Sequence, residues 1–501
     1  MTILLQTGDL PKLAQPTIVA VAVVYFAIVA AIGAWATRRT RTASDFFVAG
    51  EGIGLIALTL AAMSATLSGF AFIGGPGLVY AAGLGAMFLI LPATVTSSMT
   101  SWALAKRMRL LAEVREVITV PDAVGARYRS PAAQGLSAVA LLIAVIGYMA
   151  TNLLALGLVI DAIFGTGLVA GVWMGMAIVL AYSVAGGILA GVYTDVFQGS
   201  LMAVASVLVF LFTLKVGGGM GGISNTILAS DPAFLGPFGK MGPLAALSLF
   251  FVFGVGSMGQ PHVIHKFYML RDPRRLKWYP FLVTLALVVT MLLYFGVGVA
   301  TKSLVASGQM APLARPDDAT PVFLLRYVPV WLAALVFSGV AAAIMSTVNS
   351  FMSIGAAAIT HDLPVSFGRK VGNELLWGRL STVAISLAAA VLALLPGAVV
   401  AFLGIFGWGL FASTFVPALA IGLNWEGATR EGAVASILTG LGITLTFETL
   451  SYFKAYSFPT GVSVSGLSLV LSILVFFAVS WLTRDHAAAA LDADVRMVMS
   501  V

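Results

Sequence analysis

The chain has 501 residues, 60% hydrophobic and 9% charged, with a mean hydropathy of +1.03. That composition excludes a soluble globular domain, and the lack of cysteine excludes disulfides, thiol catalysis and Cys-ligated metal. The net charge of +7 is read as basic residues holding cytoplasmic loops in place, not as affinity for nucleic acid.

Apolar runs of about 20 residues recur from end to end, each long enough to cross a hydrocarbon core of roughly 30 Å. The alternating segments of about ten residues that mark a transmembrane barrel do not occur. The fold class is therefore all-α: a polytopic membrane protein, one embedded unit with the lipid bilayer as its solvent. Thirteen spans are predicted, at 17–36, 53–74, 78–105, 132–164, 167–190, 193–217, 243–268, 279–303, 321–357, 376–395, 398–422, 431–452 and 463–483.

The first span follows a short polar stretch. It is too long for a signal-peptide core and lacks a basic leader, so it is read as a retained extra helix. Arg38, Arg39 and Arg41 follow it directly, which puts that end in the cytoplasm and the N-terminus outside. Thirteen spans then put the C-terminus inside, as in a bacterial-type cytoplasmic membrane. Of 27 Lys and Arg residues, only Lys12, Lys215, Lys240, Lys302, Arg315, Arg326 and Lys454 fall outside. The inner set includes the cluster Lys266, Arg271, Arg274, Arg275 and Lys277, so the charge asymmetry agrees with the orientation. The outer loops 218–242 and 303–320 are rich in Gly, Pro and polar residues and leave room for short surface helices. The tail 484–501 reads as a short mixed-charge cytoplasmic end with no appended domain.

Two spans should not be continuous helices. The second reads SATLSGFAFIGGPG from Ser64, and the seventh reads FGVGSMGQPHVIHKF from Phe253. Gly weakens a helix by about 1 kcal/mol and interior Pro by about 3. Bare backbone at membrane depth is tolerated where it lines a cavity or an ion site. The two breaks are five spans apart. This suits two five-helix halves in inverted orientation, 53–217 and 243–422, with one extra helix before and two after, at 431–483. Such paired breaks point to a transporter's binding site.

The ninth span puts hydroxyls at the same depth. Ala343, Ser346 and Thr347 sit at i, i+3 and i+4 and so share one helix face. If the second span unwinds near 64–69, the carbonyls of Ser64 and Leu67 are freed to point at that face. Three carbonyls and two hydroxyls make an uncharged five-oxygen cage. Hard cations take oxygen ligands, and a site without carboxylates suits a monovalent ion, so Na+ is the natural candidate. The alternative is that small polar residues serve only close helix packing in lipid. Asp195 opens the sixth span. It is either a functional acid at a span edge or part of a helix cap with Thr194. Near Asn349 and Ser350 it could help hold a second sodium.

With these features the chain resembles the sodium/solute symporter family, which includes sodium/proline, sodium/glucose, sialic acid, iodide and monocarboxylate symporters. The resemblance covers essentially the whole length. It rests on RTASDFFVAGE at 41–51, SVAGGILA at 183–190, YTDVFQ at 193–198, GQPH at 259–262 and THDL at 360–363. GQPH is closest to the sodium/proline branch. The resemblance implies a LeuT-type fold and a shared sodium site on Ser64, Leu67, Ala343, Ser346 and Thr347, the cage already reached from spacing. Some members hold a second sodium with an acid equivalent to Asp195 and two hydroxyls; here those two positions read Asn349 and Ser350.

The solute, a small molecule, is expected between the breaks, near Ser68, Gly69, Phe253, Ser257 and Gln260, with Tyr148, Asn152 and Trp408 completing the walls. Sugar carriers have Gln and Glu in the pocket, where Ala71 and Ile90 stand here. Proline carriers have Trp and Tyr before GQPH, where this chain has Phe253 and Ser257. Half-helix N-termini attract anions, and the pocket is otherwise apolar. A short monocarboxylate or small amino acid is therefore expected, carried by a monomer through alternating access. The competing classes are a membrane sensor of the same fold, a proton-coupled carrier using Asp195, and a membrane enzyme. His262, His265, His361 and His486 are assigned to cytoplasmic ends or the tail, with no intramembrane metal site, so no enzymatic activity is expected.

Overall fold

A computed structural model of the chain describes residues 16–38, 54–66, 68–268, 273–395, 399–456, 458–459, 461–486 and 491–501. Leu67 and the 41–51 run lie outside the described residues, as do the side chains of 185–193. Among the described residues every regular element is helical. Ten helices there are long and apolar enough to cross a membrane, and Pro16–Ile32 and Leu168–Ala181 are shorter apolar helices.

Several boundaries differ from the thirteen predicted spans. The connection predicted at 75–77, between the second and third spans, is helical. A π-helical turn at Phe70–Gly74 runs straight into Gly75–Ala82. Pro76 has no N–H for the preceding turn, and the carbonyl of Phe72, four residues back, accepts from Thr320 Oγ1 at 2.8 Å instead. The chain turns at Gly83 instead, whose φ of 77° suits glycine. The predicted connection between the fifth and sixth spans is absent. Leu168–Val216 is one helical run of 49 residues. The ninth span is shorter than predicted at its N-terminal end. Ala319–Tyr327 is a separate helix, and Val330–Ala357 starts after Pro329, because the residue before proline is pushed to extended backbone; Val328 is extended accordingly.

Val330–Ala357 lies at the centre. From Leu332 to Ala357 nearly every side chain is buried, the polar Ser346, Thr347, Asn349, Ser350 and Ser353 included. A helix buried on all faces must meet neighbours on all faces. Its small residues allow this: Gly339 lies against Leu201 and Ala205 of the 49-residue helix, and Gly355 against Val145 and Ile385.

The two faces of the protein are tied by charge. At one end of the bundle, Asp231 bridges Lys240 and Lys302. At the other end the helix Val120–Tyr128 is capped by Thr119, which accepts from Asp122 N at 3.0 Å. Asp122 in turn pairs with His361 at 2.9 Å, and the Thr119 hydroxyl donates to the fully buried Asp362. These contacts lock the short helix onto the end of the central one. The tail also docks here. Arg115 pairs with Asp492 and Asp494, and Val495 and Val498 of the helix Ala493–Met499 are buried.

Candidate functional site

Both predicted breaks are present. The first helix, Leu55–Thr66, ends before Ser68, which has no helical assignment, and helix resumes at Gly69. The second broken helix runs Pro243–Val255, tightens into a 3-10 turn at Gly256–Gly259, extends at Gln260 (φ −82°, ψ 108°) and restarts as Pro261–Phe267.

Neighbouring side chains hold the backbone freed at the first break. Gly69 N donates to Asn152 Oδ1 at 2.9 Å, and Asn152 Nδ2 donates to Tyr148 O at 2.8 Å. The Ser68 and Tyr148 hydroxyls are 3.2 Å apart. All four residues are buried. Gly69 is required by close approach: a Cβ there would lie 2.5 Å from Ala155 Cβ and 3.0 Å from Ile344 Cγ1. The break therefore rests directly on the Ala343–Thr347 turn of the central helix.

Around that turn, Ser64, Ala343, Ser346 and Thr347 are fully buried, so none faces lipid. Ser64 Oγ finds only Met202 Sδ, at 3.9 Å. Thr347 Oγ1 donates to Ala343 O at 3.0 Å, which keeps both oxygens at one spot. Ser346 Oγ makes no hydrogen bond of ordinary geometry, although it is close enough to interact with the Asp195 carboxylate. A hydroxyl whose proton faces that carboxylate keeps its own lone pairs free to accept a cation. Asn349 is buried with both amide atoms unpartnered, and Ser350 is buried beside it. Asp195 is differently engaged: its Oδ2 lies 2.9 Å from Lys266 Nζ, with both side chains almost fully buried.

The breaks are joined by aromatic rings. Phe253 stacks between Phe70, at 5.7 Å, and Trp408, at 4.9 Å. Trp408 is held by its indole N–H on Val252 O, and Gln260 Nε2 donates to Gly256 O and Trp408 O. Both bonds leave Gln260 Oε1 buried and unpartnered. Helix Val400–Phe415 comes this close because Gly404 and Gly407 face Phe70 and Tyr148.

Ser68, Gly69, Tyr148, Asn152, Phe253, Gln260 and Trp408 thus line one region. Ser257 does not join them: its hydroxyl is committed to Thr96, Thr100 and Gly254 O. His262 is corrected as well. It is buried, not at a cytoplasmic surface, and its ring packs on Phe351 at 4.9 Å, Tyr148 at 6.2 Å and Trp408 at 6.3 Å, with neither nitrogen hydrogen-bonded. Phe70, Phe351 and Phe411 were not singled out from sequence. Their only sequence signal was nearness to the breaks and to the central helix, which aromatic residues in lipid-spanning runs share.

Comparison with known proteins shows the family and the fold. The profile of the "Sodium:solute symporter family" matches residues 46–440. The osmoregulated proline transporter OpuE of Bacillus subtilis is 29% identical over 93% of this chain and 95% of its own length. The sodium/proline symporter of Escherichia coli is 26% identical over 95% of this chain and 97% of its own. Among solved structures, a substrate-bound, outward-open Na+-coupled sialic acid symporter superposes with a TM-score of 0.76 at 17% identity, covering 93% of this chain and 98% of that one. Mhp1, a nucleobase-cation-symport-1 family transporter, superposes with a TM-score of 0.53 at 13% identity, over 91% and 98%. These likenesses show the LeuT-type fold.

Proposed function

The chain belongs to the sodium:solute symporter family, and we propose that it carries a small amino acid, proline before others, into the cell with sodium. Sodium-coupled symport across a membrane follows from the family; the solute and the residues that hold it are our reading. The observation that carries it is the meeting of the two broken helices over the central helix, with Gly69 against Ile344 and Phe253 stacked on Phe70.

An amino acid is favoured over the short monocarboxylate by one atom. Gln260 Oε1 is a buried acceptor with no donor, and leaving it unmet costs about 1–3 kcal/mol. The ammonium or secondary amine of an amino acid supplies that donor; a monocarboxylate does not. The Ser68 and Tyr148 hydroxyls are the donors for the carboxylate, and the Phe70–Phe253–Trp408 stack covers an apolar side chain or ring. The proline transport named for the relatives above points the same way, although Phe253 and Ser257 replace larger residues.

Sodium is held by the Ala343 carbonyl and the Ser346 and Thr347 hydroxyls, with the backbone of Ser64 and Leu67 completing the cage. Binding there bridges the first break to the central helix and sets Ser68 and Gly69 for the solute. Filling both sites favours closure of the outer side, and rocking of the two repeats opens the inner one. One charge moved inward gains about 2.3 kcal/mol per 100 mV, roughly fifty-fold accumulation before any sodium gradient. We assign the working unit as a monomer, with its N-terminus outside and C-terminus inside, and no catalytic role.

The test is uptake of labelled L-proline into proteoliposomes at fixed pH, with sodium or with choline outside. Uptake that needs sodium and is lost in Thr347→Ala, in protein that still inserts and stays monodisperse, is the expected result. Uptake indifferent to sodium, or unchanged in Thr347→Ala, rules the reading out. A monocarboxylate that outcompetes proline reverses the solute assignment alone.

A further inference from the structure

Asp195 stands where a carboxylate is costly unless a cation accompanies it. The cation is part of the chain. Lys266 Nζ lies 2.9 Å from Asp195 Oδ2, and the two side chains are 2% and 1% exposed. Lys266 was grouped with the basic cluster of a cytoplasmic loop, but the restarted helix Pro261–Phe267 carries it inward. Three elements meet at this pair: the restarted half of the second broken helix, the 49-residue helix and the central helix.

The surroundings look like a cation site with its place taken. Among the described residues Asp195 Oδ1 has no hydrogen-bond partner, Ser346 Oγ faces the carboxylate without an ordinary bond, and the Asn349 amide one turn on is unpartnered. A carboxylate, a hydroxyl and an amide oxygen are the donors a second sodium would use. An ammonium gives the same charge, but it meets only the oxygens its three N–H groups reach, and among the described residues Lys266 Nζ reaches Asp195 Oδ2 and leaves the other oxygens unmet.

We propose that the Lys266 ammonium is a tethered substitute for a second coupling ion, so that the carrier binds one sodium per cycle. This rests on the sodium reading above and adds the stoichiometry to it. Lys266 neutralises Asp195 in every state in which the pair persists, and the loaded carrier gains one charge from sodium instead of two. Ser346 then serves the single sodium on one side and borders the ion pair on the other. Removing the ammonium while keeping the carboxylate opens a second cation site at Asp195, Ser346 and Asn349.

Equilibrium binding of 22Na+ to the purified full-length protein in detergent tests this without knowledge of the solute. Wild type and Lys266→Arg are expected to saturate at one sodium per chain. Lys266→Met is expected to saturate at two, at pH 8.5, where proton competition for the bare carboxylate is weak. The double variant Asp195→Asn with Lys266→Met, which removes both charges and carries the test if the single variant does not fold, is expected to return to one. Two sodium ions on wild type, a folded Lys266→Met that stays at one, or loss of the only sodium in the double variant each overturns the proposal. A wild type that binds none removes the sodium reading itself and this inference with it.

Discussion

Asn152 Oδ1 takes the backbone N–H of Gly69 at 2.9 Å, so a side chain of one helix completes the hydrogen bonding that another helix loses at its break. The break is thereby a built feature. Asn152→Ala leaves that N–H unpaired and is expected to cost about 1–3 kcal/mol. It should read out as a lower melting temperature of the purified protein and a weaker solute affinity. An unchanged melting temperature would mean that water or a shifted backbone satisfies Gly69.

Gly404 sets how closely the Trp408 helix approaches the first break. A Cβ there would come within 2.4 Å of Phe70 Cδ2, a rigid ring atom in the aromatic stack. Overpacking of this kind costs about 1–3 kcal/mol. Gly404→Ala should weaken solute binding about tenfold or more while leaving 22Na+ binding unchanged, because the displaced ring belongs to the solute side. Equal loss of both would argue that the two sites are one cooperative unit.

The buried Asp317 Oδ2 accepts from Val400 N at 3.1 Å and so caps the start of the Trp408 helix. Burial pushes its carboxyl up to about 6. Between the ordinary carboxylate range and pH 6 the folded protein holds this proton and the unfolded chain does not. Stability from this group is therefore present at low pH and declines as pH rises towards 6, by about 3 kcal/mol at most, then stays level. Asp317→Asn keeps the acceptor and removes the titration. Melting temperature against pH from 4 to 8 should lose that slope in the variant; an identical profile would assign the slope elsewhere.

Beyond the C-terminal end of the central helix, His361 stands between Asp122, at 2.9 Å, and Glu374, at 4.0 Å, with Asp362 buried alongside. His361→Ala leaves these carboxylates without their counter-charge. The imidazole is partly exposed, so the cost is held to about 1–3 kcal/mol. Adding Asp362→Asn should recover most of the lost melting temperature. Failure of the second change to rescue the first would show that His361 acts by packing.

Local chemistry told much of this fold in advance. Hydropathy alone fixes the membrane class, because lipid admits only spans that satisfy their own backbone. The crowding of Gly with Pro marked both breaks, since helix propensity is a short-range property. The i, i+3, i+4 spacing put Ala343, Ser346 and Thr347 on one face for the same reason. Whatever depended on distant segments stayed hidden. Where the chain turns after the first break was decided by Gly83 against Phe234 of the 218–242 loop, not by the nearer Gly and Pro. Ser257 turned to Thr96 and Thr100, and His262 went into the aromatic cluster, although both lie beside a correctly predicted break. Lys266 and Asp195 are 71 positions apart, and each read alone suits a span end facing the cytoplasm. Only packing brings them together, because the partner of a buried charge is chosen by which helices meet, and the pattern along any one helix does not carry that information.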